Sequence, residues 1–189
     1  MWLRDTKASG SQEVPKLPLS SFTFVIGGTA SGKSAYAESL CFQTKKPRVY
    51  IATAQAFDDE MRAKISLHQA QRGDDWRTLE APLEAAAALA TCTADDVVLL
   101  DCATLWLSNL LLADRDLDAD GDALLGAIAT CPAQVIVVSN EVGQGVVPDN
   151  ALARQFRNAQ GRLNQKLAAQ ADTVVQVIVG LPQVLKGQI

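Results

Sequence analysis

Residues 27 to 34 read Gly-Gly-Thr-Ala-Ser-Gly-Lys-Ser, and the pattern G-x-x-x-x-G-K-S contains the parts needed to hold a nucleoside triphosphate. Glycines at 27 and 32 permit a tight turn whose backbone N–H groups converge on phosphate oxygens at the start of a helix. Lys33 supplies a point charge for the β and γ phosphates, and the Ser34 hydroxyl supplies a magnesium ligand. Gly27, Gly28, Thr29, Ala30, Ser31, Gly32, Lys33 and Ser34 are thus all candidate nucleotide contacts. A glycine-rich turn with a chance Gly-Lys-Ser is the bland alternative. Context opposes it, because strand-like Phe22 to Ile26 runs into the loop and helix-forming Ser34 to Glu38 leaves it.

Two further side chains bear on phosphoryl chemistry. Val97-Val98-Leu99-Leu100-Asp101 is an apolar run ending in a carboxylate, which predicts a buried strand delivering a magnesium-directed acid to the edge of the sheet where the loop lies. Without a phosphate loop nearby, such an acid is more often a helix cap. His68 is the single histidine, so any imidazole chemistry must use it. On a helix, Ile65, His68 and Arg72 fall at i, i+3 and i+7, placing an imidazole and a guanidinium on one face. Two readings stand on the residues alone: an ordinary surface histidine, or a nucleophile toward phosphorus with a cation to stabilise the developing oxyanion.

These groups need a scaffold. Short apolar runs alternate with helical segments: strands are predicted at Phe22–Gly27, Arg48–Ala52, Trp76–Leu79, Val97–Asp101, Val135–Ser139 and Val174–Val179. Helices are predicted over Lys33–Phe42, Asp58–Arg72, Leu83–Thr91, Thr104–Leu112 and Asn150–Gln170, the last with Leu152, Phe156, Leu163 and Leu167 on one stripe. The alternation predicts a doubly wound, mostly parallel sheet in a three-layer α/β/α domain of P-loop NTPase type. Residues 1–21, rich in Ser, Pro and Lys, read as a mobile extension, and 22–189 as one domain.

Seventeen Lys and Arg against twenty-one Asp and Glu give a net charge of −4, so no bulk attraction to nucleic acid is expected. Cys41, Cys92, Cys102 and Cys131 form no C-x-x-C pair and read as reduced, buried thiols of a cytoplasmic protein. No signal-peptide or membrane-spanning run is expected.

At this point the chain resembles a known family, the bifunctional adenosylcobinamide kinase and adenosylcobinamide-phosphate guanylyltransferase of cobalamin assembly. The resemblance spans Phe24 to Lys186. It rests on GGTASGKS, YIATAQAFDDEMRAKISLHQAQR, DWRTLEAP, LLDCATLWLSNLL, and VSNEVGQGVVPDNALARQFRNAQGRLNQKLAAQAD followed by a strand and Gly180-Leu181-Pro182. It implies phosphorylation of the terminal hydroxyl of the aminopropanol arm of adenosylcobinamide with ATP or GTP, then transfer of GMP from GTP through a covalent histidine. The matching histidine is His68.

By the same resemblance, nucleotide contacts are implied at Ala52, Thr53 and Ala54, at Gln69, Ala70, Gln71 and Arg72, and at Glu80 and Asp101, with Mg2+ at Ser34 and Asp101. From the residues alone, Thr53 reads equally as a cap and Glu80 as a solvated charge. Ser139 to Gly145 is expected to emerge on the loop's side of the sheet, as substrate contacts or as a plain turn. A homo-oligomer, with a trimer as its expected form, is implied too, with Leu105-Trp106-Leu107 and Val146-Val147 as expected contact surfaces. The chain departs from the family pattern at Thr29-Ala30, where an arginine is common, and at Arg72-Gly73, where Arg-Pro is common. The rival readings are a plain small-molecule kinase and a GTP-dependent switch, the latter opposed by the absence of Asn-Lys-x-Asp.

Overall fold

The computed structural model describes residues 19–55 and 75–189. Their elements in chain order are β1 (Phe22–Gly27), α1 (Lys33–Thr44), β2 (Arg48–Ala52), β3 (Trp76–Glu80), α2 (Ala85–Leu89), β4 (Val97–Asp101), α3 (Ala103–Leu112), α4 (Leu117–Thr130), β5 (Gln134–Asn140), α5 (Ala151–Gln170), β6 (Thr173–Ile178) and β7 (Leu181–Lys186). The helix expected over Asp58–Arg72 lies outside the described residues.

Seven strands form one sheet in the order β3-β2-β4-β5-β1-β6-β7. Every pairing among β1 to β6 is parallel, and β7 runs antiparallel to β6. Runs such as Val97–Leu100 and Val135–Val138 are apolar at every position because both faces of a parallel sheet are covered. Successive side chains alternate between two cores. On one face Val98, Leu100, Val135 and Val137 pack with Trp106, Leu107, Leu124, Leu163 and Leu167 from α3, α4 and α5. On the other, Val97, Leu99, Ile136 and Val138 pack with Ala37, Leu40 and Cys41 of α1.

Two elements were not anticipated. The α4 segment, LDADGDALLGAIAT, carries glycines and aspartates of low helix propensity. Its start is fixed by Asp116, whose carboxylate accepts from the amides of Asp118 and Ala119, and Gly121 faces Leu163 of α5. β7 contains Pro182, which an edge strand tolerates because one side of its ladder is unpaired.

The stripe expected along α5 also shifts. Leu152 is exposed, while Ala159, Gln160, Leu163, Asn164 and Leu167 form the buried face. Segment 105–107 is no contact surface, since Trp106 and Leu107 are 1% exposed and belong to the core. Val146 and Val147 are exposed.

Candidate functional site

The C-terminal ends of β1, β4 and β5 bring the sequence-predicted loop and Asp101 to one edge of the sheet. β1 ends at Gly27 and α1 begins at Lys33, so residues 28–32 are the strand-to-helix turn. Ala30 (φ 56°) and Gly32 (φ 90°) both lie in the left-handed region, which glycine adopts without cost and alanine does not. Ser31 N–H donates to the Gly28 carbonyl at 3.2 Å, closing the turn.

The loop is held from both flanks. On one side Glu141 N–H, at the end of β5, donates to the Gly27 carbonyl at 3.0 Å. On the other, Gly180 N–H, in the turn between β6 and β7, donates to the Ser31 carbonyl at 2.8 Å. A Cβ at position 27 meets the Val177 carbonyl oxygen at 2.6 Å and Ser31 Oγ at 2.5 Å, so only glycine fits between β1 and β6 there. We expect Gly27→Ala to destabilise the protein by about 1–3 kcal/mol and to displace the loop, read as a lower melting temperature together with weaker nucleotide binding.

Lys33 is buried, and its ammonium donates to the Gly28 carbonyl at 3.1 Å, curled over the loop. Ser31 Oγ and Asn140 Oδ1 are buried polar atoms without a hydrogen-bond partner among the described residues. Asn140 pairs in register with Gly27, so both orphans border the loop. Buried polar atoms left unpaired are costly, and these two border the candidate phosphate loop.

Asp101 ends β4, and Tyr50 of β2 donates its hydroxyl to Asp101 Oδ2 at 3.2 Å, holding the carboxylate at the sheet edge. The next residue, Cys102, caps α3: its sulfur accepts from Leu105 N–H. Burial above all, and then the Asp101 charge, push its thiol up to about 11, so it remains a neutral thiol and not a nucleophile. Burial likewise drives Cys41 to about 12; all four cysteines are free, as expected, but only Cys41, Cys92 and Cys102 are buried, and Cys131 is partly exposed.

Thr53 follows β2 and is fully buried. Its hydroxyl donates to the Cys102 carbonyl at 2.9 Å and accepts from Cys102 N–H at 2.8 Å. Asn109 of α3 donates to the Thr53 and Pro82 carbonyls at 2.7 and 3.0 Å. The side chain of Thr53 is therefore committed to joining β2 to the β4–α3 junction, whereas Ala54 and Glu80 are open to solvent in part or in full. Asn109→Ala strands two buried carbonyls and is expected to cost about 2 kcal/mol or more, measurable as a lower urea midpoint.

A second polar cluster fixes the end of β5. Ser139 Oγ donates to Asn164 Oδ1 at 2.7 Å, Gln160 donates to both of them at 2.9 Å, and Asn164 donates to the Asn140 carbonyl at 3.1 Å. Thr104 of α3 accepts from Asn140 N–H at 2.7 Å. Gln160 and Asn164 were hidden in the sequence because they replace apolar residues on the buried face of a helix. Their i, i+4 spacing on a buried stripe is the signal that marks them. His68, Gln69, Ala70, Gln71 and Arg72 lie outside the described residues.

A loop of phosphate-binding pattern and an acid two strands away share one sheet edge as a candidate nucleotide site, and comparison with known proteins gives it a lineage. Residues 23–185 match the family model described as cobinamide kinase / cobinamide phosphate guanyltransferase. The chain belongs to that family. It is similar to the bifunctional adenosylcobalamin biosynthesis protein CobP of Pseudomonas aeruginosa, with 45% identity over 87% of this chain and 96% of that protein. It is similar also to the bifunctional adenosylcobalamin biosynthesis protein CobU of Salmonella typhimurium, with 42% identity over 83% of this chain and 95% of that protein.

Among solved structures, an ATPase of a type III secretion system of pathogenic bacteria aligns with a TM-score of 0.51 at 12% identity, over 86% of this chain and 56% of that one. At that identity the likeness speaks for the P-loop α/β fold alone. Among the described residues no helix is long and apolar enough to cross a membrane.

Proposed function

We infer that this member of the cobinamide kinase / cobinamide phosphate guanyltransferase family phosphorylates adenosylcobinamide with ATP or GTP and then attaches GMP from GTP to the new phosphate. The family match over residues 23–185, with the loop and Asp101 at one sheet edge, carries this reading over a plain kinase or a GTP switch. In the first step the substrate hydroxyl attacks the γ-phosphorus, and the nucleoside diphosphate leaves. Loop amides and the Lys33 ammonium stabilise charge on the transferring oxygens.

Mg2+ fits the donors present: the Ser34 hydroxyl and Asp101 carboxylate are hard oxygen ligands, and no cluster of three or more His, Cys, Asp or Glu among the described residues forms a cage. A cation that keeps water and phosphate ligands needs no more protein groups than these. When bound, it supplies neutralisation of the β and γ oxygens.

In the second step an imidazole nitrogen of His68 attacks the α-phosphorus of GTP, forming a P–N bond as pyrophosphate leaves. An oxygen of the cobinamide phosphate then displaces the imidazole, giving adenosylcobinamide-GDP and free His68. Ala52, Ala54, Gln69 to Arg72 and Glu80 supply the nucleotide contacts of this step, while buried Thr53 positions its neighbours through Cys102 and Asn109. The protein works in the cytoplasm as a homo-oligomer, a trimer by family resemblance, with Val146 and Val147 at the contact between subunits.

The test is to supply GTP labelled at the α-phosphate. Label bound to protein in an acid-labile, base-stable form, and chased into a corrinoid product by adenosylcobinamide phosphate, is the expected result. Absence of bound label while adenosylcobinamide is still phosphorylated reduces the protein to a plain kinase.

A further inference from the structure

The turn between β6 and β7 was not among the expected site elements, yet it touches the phosphate loop directly. Val179 (φ 47°) and Gly180 (φ 82°) both lie in the left-handed region, the backbone of a two-residue type I′ hairpin. Gly180 N–H donates to the Ser31 carbonyl, and a Cβ at Gly32 sits 3.2 Å from the Gly180 Cα. The hairpin tip and the loop are thus in van der Waals contact.

The identity of residue 179 is the anomaly. A β-branched side chain in the left-handed region is an outlier, costing about 1–3 kcal/mol, and asparagine is the residue that this turn takes cheaply. Packing among the described residues does not offset that cost, because Val179 is 82% exposed. Its neighbours across the turn, Ile178 and Leu181, are 49% and 69% exposed. Three apolar side chains therefore stand in solvent beside the phosphate loop, next to a strained residue.

The sheet order says what reaches them. Asp101 lies on one side of β1, with β5 between, and the hairpin lies immediately on the other side. A triphosphate whose γ end faces Asp101 across the loop points its nucleoside end toward the hairpin. We propose that Val179, with Ile178 and Leu181, is the apolar platform on which the nucleoside of the triphosphate in the phosphate loop packs, and that Gly180 ties this platform to the loop. The proposal rests on residues 27–34 being the triphosphate site. Contacts of this kind accept adenine and guanine alike, because they read an apolar face and not an edge of hydrogen-bonding groups.

Val179→Asn tests it without endangering the fold, since Asn-Gly suits the turn better than Val-Gly does. Binding of ATP, GTP and inorganic tripolyphosphate is measured by calorimetry on the full chain, with Val179→Leu as the apolar control. Val179→Asn is expected to weaken ATP and GTP about ten-fold while tripolyphosphate binds as before, and Val179→Leu to keep nucleotide affinity within about two-fold.

Equal weakening of tripolyphosphate and nucleotide overturns the proposal, because the hairpin then acts on the loop alone. Unchanged nucleotide affinity overturns it as well. So does a fall in molecular mass by light scattering in Val179→Asn, which assigns the apolar tip to a contact between copies. If the unsubstituted protein binds neither nucleotide nor tripolyphosphate, the phosphate-loop reading fails first and the platform with it.

Discussion

Lys33→Ala is expected to lower kcat/KM of the kinase step about a thousand-fold with little loss of stability. The lysine is buried beside the loop, and among the described residues its ammonium bonds only to the Gly28 carbonyl, so its removal strands no charge there. With a triphosphate in the loop the same ammonium is expected to meet the β and γ oxygens, and its burial limits screening by water. Lys33→Arg is not expected to restore the rate, because a planar guanidinium is wider than an ammonium and cannot take the same buried position at the Gly28 carbonyl. The measurement is the steady-state rate of nucleoside diphosphate release with adenosylcobinamide, alongside a melting curve for each variant. A rate within ten-fold of the unsubstituted protein places phosphoryl transfer elsewhere.

His68→Ala is expected to separate the two steps. Incorporation of α-labelled GMP into the protein falls below detection, by about 10⁴-fold or more, because no other imidazole exists in the chain. Phosphorylation of adenosylcobinamide continues, and the phosphorylated intermediate accumulates in place of adenosylcobinamide-GDP. Chromatography of the corrinoid products reads both outcomes at once. Should the variant still take up acid-labile label, the nucleophile is another group. Among the described thiols, Cys41 and Cys102 are held far from their thiolates by burial and offer no substitute.

The loop, Asp101 and all six parallel strands were legible along the chain. A Gly-rich turn before Lys-Ser has a local cause, the need of a backbone to curl around phosphate, and therefore a local signature. Buried parallel strands are equally local, since cover on both faces makes every position apolar, as in Val97-Val98-Leu99-Leu100. Neither reading required knowledge of which strand lies beside which.

What depended on neighbours distant in sequence was invisible. Tyr50 meets Asp101 because β2 pairs with β4, Thr53 clasps Cys102 for the same reason, and Gln160 and Asn164 are buried because Ser139 and Asn140 wait beneath them. The Leu105-Trp106-Leu107 segment was read as a surface, and the core claimed it, because an apolar helix face looks the same whether its partner is its own sheet or another subunit. By itself, then, the sequence marked residues 27–34 as the candidate triphosphate loop and His68 as its one imidazole, and it showed which lineage its segments resemble. Only the tertiary structure decided that β6 and β7 turn back against that loop and present Val179 beside it, since a hairpin's neighbour across the sheet is set by strand order and packing, which no local pattern encodes.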